Sequence, residues 1–191
     1  MKTALPAALF AAAVLAWPLS ARCAEIVLEQ SAVQSLVVEG LFKDNGRLYL
    51  QKGVCFAYLD DPKVSLQGGR VIIRAHLNSR LGVPSGKECV GVSLNSGATV
   101  SAVPAAQGQV VRLTDIRVDE VEDANTRNLL NLGLAPTLPG AVEINVKKAV
   151  EDMLKSTGSR LQADVQMLKI DAVQVTDSRL SIQFDFRLVG R

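Results

Sequence analysis

Hydrophobic and polar positions alternate most clearly at the C-terminus, where Leu180, Ile182, Phe184, Phe186 and Leu188 fall on one side of an extended chain. Ser181, Gln183, Asp185 and Arg187 fall on the other, which is the period-2 signature of a half-buried strand. The stretch "TDSR" at 176–179 joins this strand to one upstream that contains Leu168 and Ile170. Further back, "VSLQGGRVIIRAHL" reads as a hairpin with Gly68-Gly69 at its bend and Val71, Ile73, Ala75 and Leu77 on one face. A second hairpin is expected with Val90, Val92 and Leu94 on one arm and Asn95-Ser96-Gly97 at its turn, and Asp60-Asp61-Pro62 reads as another turn. In "VVRLTDIRVDEV" the apolar parity changes between Leu113 and Ile116, so one extra residue is expected as a β-bulge near Thr114-Asp115.

Helical spacing occurs in three places. Val33, Leu36, Val37 and Leu41 share a face of a helix over 31–41, for which Ser31 can serve as N-cap. A short helix is expected over 124–132, ended by Gly133 and the Pro136–Pro139 stretch. A longer one is expected from Ala141 to Leu154, with Val142, Val146, Ala149, Val150 and Met153 on one stripe and Lys148, Glu151 and Asp152 opposite. The order predicts an α+β domain in which a mostly antiparallel sheet wraps one long amphipathic helix.

The N-terminus has a different pattern. Lys2 precedes an unbroken apolar run from Ala7 to Trp17, then Pro18 and the small residues Ser20 and Ala21. This is the layout of a secretory signal peptide and is too short for the ~20 residues a spanning helix needs. Cys23 stands where an acylated lipoprotein cysteine would, but Arg22 directly before it makes a poor lipobox. Cleavage between 21 and 24 is therefore expected, giving a signal peptide of 1–23 and one domain over 24–191. The expected location is the periplasm or the exterior, with a lipid-anchored form as the alternative.

That removal changes both the cysteines and the charge. Of three cysteines it leaves Cys55 and Cys89, one possible disulfide in an oxidising compartment, with two buried free thiols as the alternative. Of 21 basic and 19 acidic residues it removes Lys2 and Arg22, so 24–191 is neutral. A neutral chain without a Lys/Arg cluster is a poor nucleic-acid binder and a poor electrostatic binder of membranes.

Catalytic chemistry is sparse. His76, the only histidine, lies on the polar-parity face of its strand beside Arg74. No nucleophile elbow, phosphate loop or dinucleotide fingerprint is present, and one histidine with two bridged cysteines leaves no zinc set. Asp119, Glu120, Glu122 and Asp123 lack the spacing of a calcium loop and read as a solvated strand end. No cofactor is expected, and no catalytic constellation is found; an enzyme using carboxylates that the spacing does not single out ranks third, behind a binding module and an adaptor.

The stretches "VVRLTDIRVDEVEDANTRNLLN", "AVEINVKKAVEDMLK" and "LKIDAVQVTDSRLSIQFDF" resemble the C-terminal half of YceB-like bacterial envelope proteins, which are related to the tubular lipid-binding (TULIP) superfamily. The resemblance implies a highly curved antiparallel sheet around a long helix, a TULIP-like half-module enclosing a channel for lipid-like ligands. On this basis the chain is expected to bind a lipid or other acyl-chain ligand, as a carrier with transient membrane contact. Val142, Val146, Val150 and Met153 would line the site, faced by Phe184 and Phe186. The alternative is a structural or adaptor protein of the cell envelope, with a filled core and a protein partner.

Overall fold

The computed structural model describes residues 24–121, 127, 128, 130, 131, 134, 142–156 and 163–190. Nine strands account for most of them: β1 (Ala24–Glu29), β2 (Leu48–Gln51), β3 (Phe56–Gln67), β4 (Arg70–Ser85), β5 (Glu88–Gln107), β6 (Val110–Val121), β7 (Glu143–Asn145), β8 (Ala163–Val175) and β9 (Arg179–Gly190). The helices with described bounds are α1 (Gln30–Leu41) and α2 (Val146–Ser156). A six-stranded antiparallel sheet runs in the order β2-β3-β4-β5-β6-β7, and a three-stranded one in the order β1-β9-β8. The larger sheet curls into a half-barrel. Residues of both sheets and both helices join one apolar cluster on its concave side.

This corrects the expected fold class. Strands take up 68% of the described residues and helices 19%, and no long amphipathic helix lies inside the sheet. The helix expected from Ala141 to Leu154 is the 11-residue α2, because Glu143–Asn145 are drawn off as β7 to pair with Val110–Arg112 of β6. Arg112 fixes that edge through Glu143 at 2.7 Å, and Asn145 then caps α2 by accepting the Lys148 N–H at 2.9 Å. Of the helix expected over 124–132, Arg127, Asn128, Leu130 and Asn131 are helical and the remainder lies outside the described residues.

The second hairpin is also corrected. Asn95, Ser96 and Gly97 are interior to β5, paired with Asn78, Leu77 and His76, and the turn falls instead at Gly86-Lys87. Of the residues that suggested a turn, Asn95 is engaged across the strands, donating to Asn78 at 3.1 Å. Asp60-Asp61-Pro62 lies within β3 as a register shift, with Asp61 at φ 47°. There the Gln34 side chain of α1 stands in for a neighbouring strand, donating to the Pro62 carbonyl and accepting the Val64 N–H.

Other expectations hold. Gly68-Gly69 forms the two-residue turn of β3–β4, both residues at positive φ (57° and 76°) as the tight hairpin requires. The β5–β6 register shifts between Ser101/Arg117 and Val103/Thr114, and Asp115 there has φ 45°, so the bulge sits beside Thr114. β1 has no counterpart in the expected elements; it pairs with β9 over its whole length.

Beyond Arg80, β4 leaves β3, and up to Asn95 β5 has no partner in β6, so Leu81–Val92 forms a two-stranded ribbon. Gly82 and Gly91 face each other within it, and a Cβ on either would collide with the opposite backbone. Five residues of extended chain make the ribbon about 17 Å long.

Candidate functional site

The expected lining residues are brought together in part. Val142, Val146, Val150 and Phe184 are buried in the shared core, and Phe186 packs partly against it with its ring 5.8 Å from that of Phe184. Met153 points away and is 55% exposed. The stripe is thus a core stripe through Val150, and leaves the core one turn later.

An apolar crevice lies elsewhere, under the concave face, where Leu41 and Phe42 at the end of α1 meet Leu59, Ile73, Val100 and Leu134. Its volume is about 10 Å³, at the lower limit of the space that holds a water molecule. These residues were not singled out from the sequence. The alternation of Val71–Leu77 marked one wall, but nothing local indicated that Leu134 would close the other.

The concave aliphatic stripe extends past this crevice. On β4 it runs through Ile73, Leu77, Leu81 and Val83, and on β5 through Val100, Val92 and Val90. Two serines interrupt it: Ser79 and Ser96 sit diagonally across β4–β5, both more than nine-tenths buried, with hydroxyls that have no hydrogen-bond partner among the described residues. A buried hydroxyl without a partner costs about 1–3 kcal/mol. No local signal marked this pair, since "NSG" read as turn chemistry.

Cys55 and Cys89 form a disulfide with Cα atoms 5.1 Å apart. A polar ladder runs along the outer face. His76 Nδ1 lies 3.7 Å from Asp60 Oδ1, Asn78 bridges to Asp60 at 3.2 Å, and Asn95 extends the row. The His76 side chain is 45% exposed, on the face of β4 opposite Ile73 and Leu77. Asp119 and Glu120 are exposed on β6, while Glu122 and Asp123 lie outside the described residues. Among the described residues, no group of three or more His, Cys, Asp or Glu side chains is placed to hold a metal. Nor is any described helix long and apolar enough to cross a membrane.

No family model, curated protein or solved structure matches the chain.

Proposed function

We propose that the protein is a binding module for a hydrophobic, lipid-like ligand, exported through residues 1–23 and working in the periplasm or outside the cell. The observation that carries this reading is the concave stripe, aliphatic except at Ser79 and Ser96, which gives an acyl chain a track from the exposed ribbon to the interior. The orphan hydroxyls of Ser79 and Ser96 lie along that track, where an ester or carboxyl oxygen would satisfy them. The disulfide suits an oxidising compartment. In this reading the YceB-like resemblance extends to lipid carriage, and the crevice at Leu41, Phe42 and Leu134 opens when a chain enters.

The small volume of that crevice supports a second reading, a structural or adaptor protein of the envelope whose core stays filled. Native mass spectrometry of the isolated protein and uptake of the fluorescent fatty acid cis-parinaric acid decide between them. Acyl-chain adducts and an uptake that falls in Ala75→Leu, which narrows the crevice, are expected for the binding module. A protein that carries no adduct and takes up no probe is the adaptor.

A further inference from the structure

The setting of the Ser79 and Ser96 hydroxyls limits the chemistry that can meet them. Ser79 is 4% exposed and Ser96 7%, and neither hydroxyl has a hydrogen-bond partner among the described residues. Ser96 pairs with Leu77, while Ser79 pairs with Leu94 on one side and Ala57 on the other. The two serines are therefore diagonal neighbours on one face, about 7 Å apart. Leu59, the cross-strand partner of Leu77, is a wall of the crevice under Leu41, Phe42 and Leu134. Ala75, the next concave position after Leu77 on β4, is another, so the serines border the crevice.

From Val71 to Val83 on β4 and from Val90 to Ala102 on β5, every concave position is Ala, Val, Leu, Ile or Ser. Ala57 and Leu59, beside them on β3, are apolar and buried as well. Arg74, His76 and Arg80 alternate onto the opposite face. An ionised carboxylate placed between the serines would exchange water for two neutral hydroxyls and no described cation, which disfavours the charged form. An ester group has two oxygens that accept hydrogen bonds and carries no charge. With a hydrogen bond of about 2.8 Å at each end, one ester group spans the diagonal.

Resting on the hydrophobic-ligand reading above, we propose that the ligand is an acyl ester, held with its ester group at Ser79 and Ser96 and its chain in the crevice, and that a free fatty acid is the poorer ligand. Both hydroxyls then donate to ester oxygens, which meets the hydrogen-bonding need of two otherwise orphaned groups. The serines thereby set the direction in which a chain lies on the track as well as the class of its polar end. A glycerol ester and a simple alkyl ester share this chemistry. In either, the alcohol part lies toward Leu81 and Val83, where the track becomes exposed.

The test is displacement of diphenylhexatriene, a fluorescent hydrocarbon without oxygen, from the protein at neutral pH. Methyl oleate and monooleoylglycerol are compared with oleic acid and with the hydrocarbon octadecene. In the wild type the esters should displace the probe at concentrations about tenfold below that of oleic acid. That comparison needs no variant. Ser79→Ala/Ser96→Ala, checked for folding by its far-UV spectrum, should lose about tenfold in affinity for the esters and none for the probe or octadecene. A preference between the two esters tells a glycerol ester from a simple one. With the probe bound, oleic acid as effective as the esters overturns this proposal and leaves the hydrophobic-ligand reading standing. Esters that bind the double variant as they bind the wild type do the same. A wild type that binds neither probe nor ester overturns both.

Discussion

Cys55 and Cys89 close a loop of 34 residues between the turn before β3 and the outer arm of the β4–β5 ribbon. The bond anchors the ribbon, where β4 has left β3 and β5 has not yet met β6. Restricting the unfolded chain over a loop of this length is worth about 4 kcal/mol in the chain-entropy model. Cys55→Ser/Cys89→Ser, or reduction, should therefore lower the unfolding free energy by about that amount, measured by urea titration with and without reductant. Thiol titration of the unfolded, unreduced protein should find neither cysteine reactive. Two reactive thiols at these positions would mean the bridge is not formed.

Ser79 and Ser96 give a prediction with the opposite sign. Each has a buried hydroxyl without a partner among the described residues, on an otherwise aliphatic face. Ser79→Ala or Ser96→Ala removes the unmet hydrogen-bonding group and leaves little empty volume. Each should stabilise the ligand-free chain by about 1 kcal/mol, seen as a rise in thermal midpoint. If the track carries an oxygen-bearing ligand, the same variants should bind it more weakly. A loss of stability in the delipidated protein would show that the hydroxyls are bonded in solution.

The α2 stripe separates core from surface within a single pattern. Val146 is fully buried and Met153 is 55% exposed, although both lie on the apolar side of the helix. Val146→Ala should cost about 2 kcal/mol, through lost burial and the cavity it leaves. Met153→Ser should stay within about 0.5 kcal/mol of wild type. Chemical denaturation of the two variants checks both figures, and equal effects would place Met153 in the packed interior.

Local signals carried much of this fold. The β9 alternation, the Gly68-Gly69 turn and the bulge at Asp115 were legible because each depends on residues adjacent in sequence. What failed was set by distant partners. Glu143–Asn145 continue a helical stripe, and only Arg112 and the β6 edge, some thirty residues upstream, make them a strand. Asn95-Ser96-Gly97 has the composition of a turn, but β4 supplies a full ladder opposite. Asp60-Asp61-Pro62 breaks a strand on paper and is bridged by the Gln34 side chain from α1. The candidate site was less legible still. Val142, Val146, Val150 and Phe184 are buried in the core, and periodicity alone does not separate core from lining residues.

The Asp115 bulge makes the fold sensitive to acid at a defined place. Asp115 has φ 45°, and its carboxylate accepts Arg70 at 2.8 Å and Arg117 at 2.8 Å, while its carbonyl accepts a second Arg70 nitrogen. Hydrogen bonds from Arg70 first, and then from Arg117, hold the carboxyl below its ordinary value. A depressed folded value means the contribution is present above the unfolded carboxylate range and fades as pH falls through the folded value. Arg70 also donates to the Ser101 hydroxyl at 2.8 Å, so the bulge ties β4, β5 and β6 together. Asp115→Asn should therefore lower the thermal midpoint at neutral pH, and the gap from wild type should close on titration below the ordinary carboxylate range. Amide protection at Thr114–Arg117, taken relative to the intrinsic exchange rate at each pH, should fall in the wild type over the same interval. A gap that persists in strong acid would assign the effect to the backbone conformation alone, and Asp115→Gly, which suits a positive φ, would then restore the midpoint.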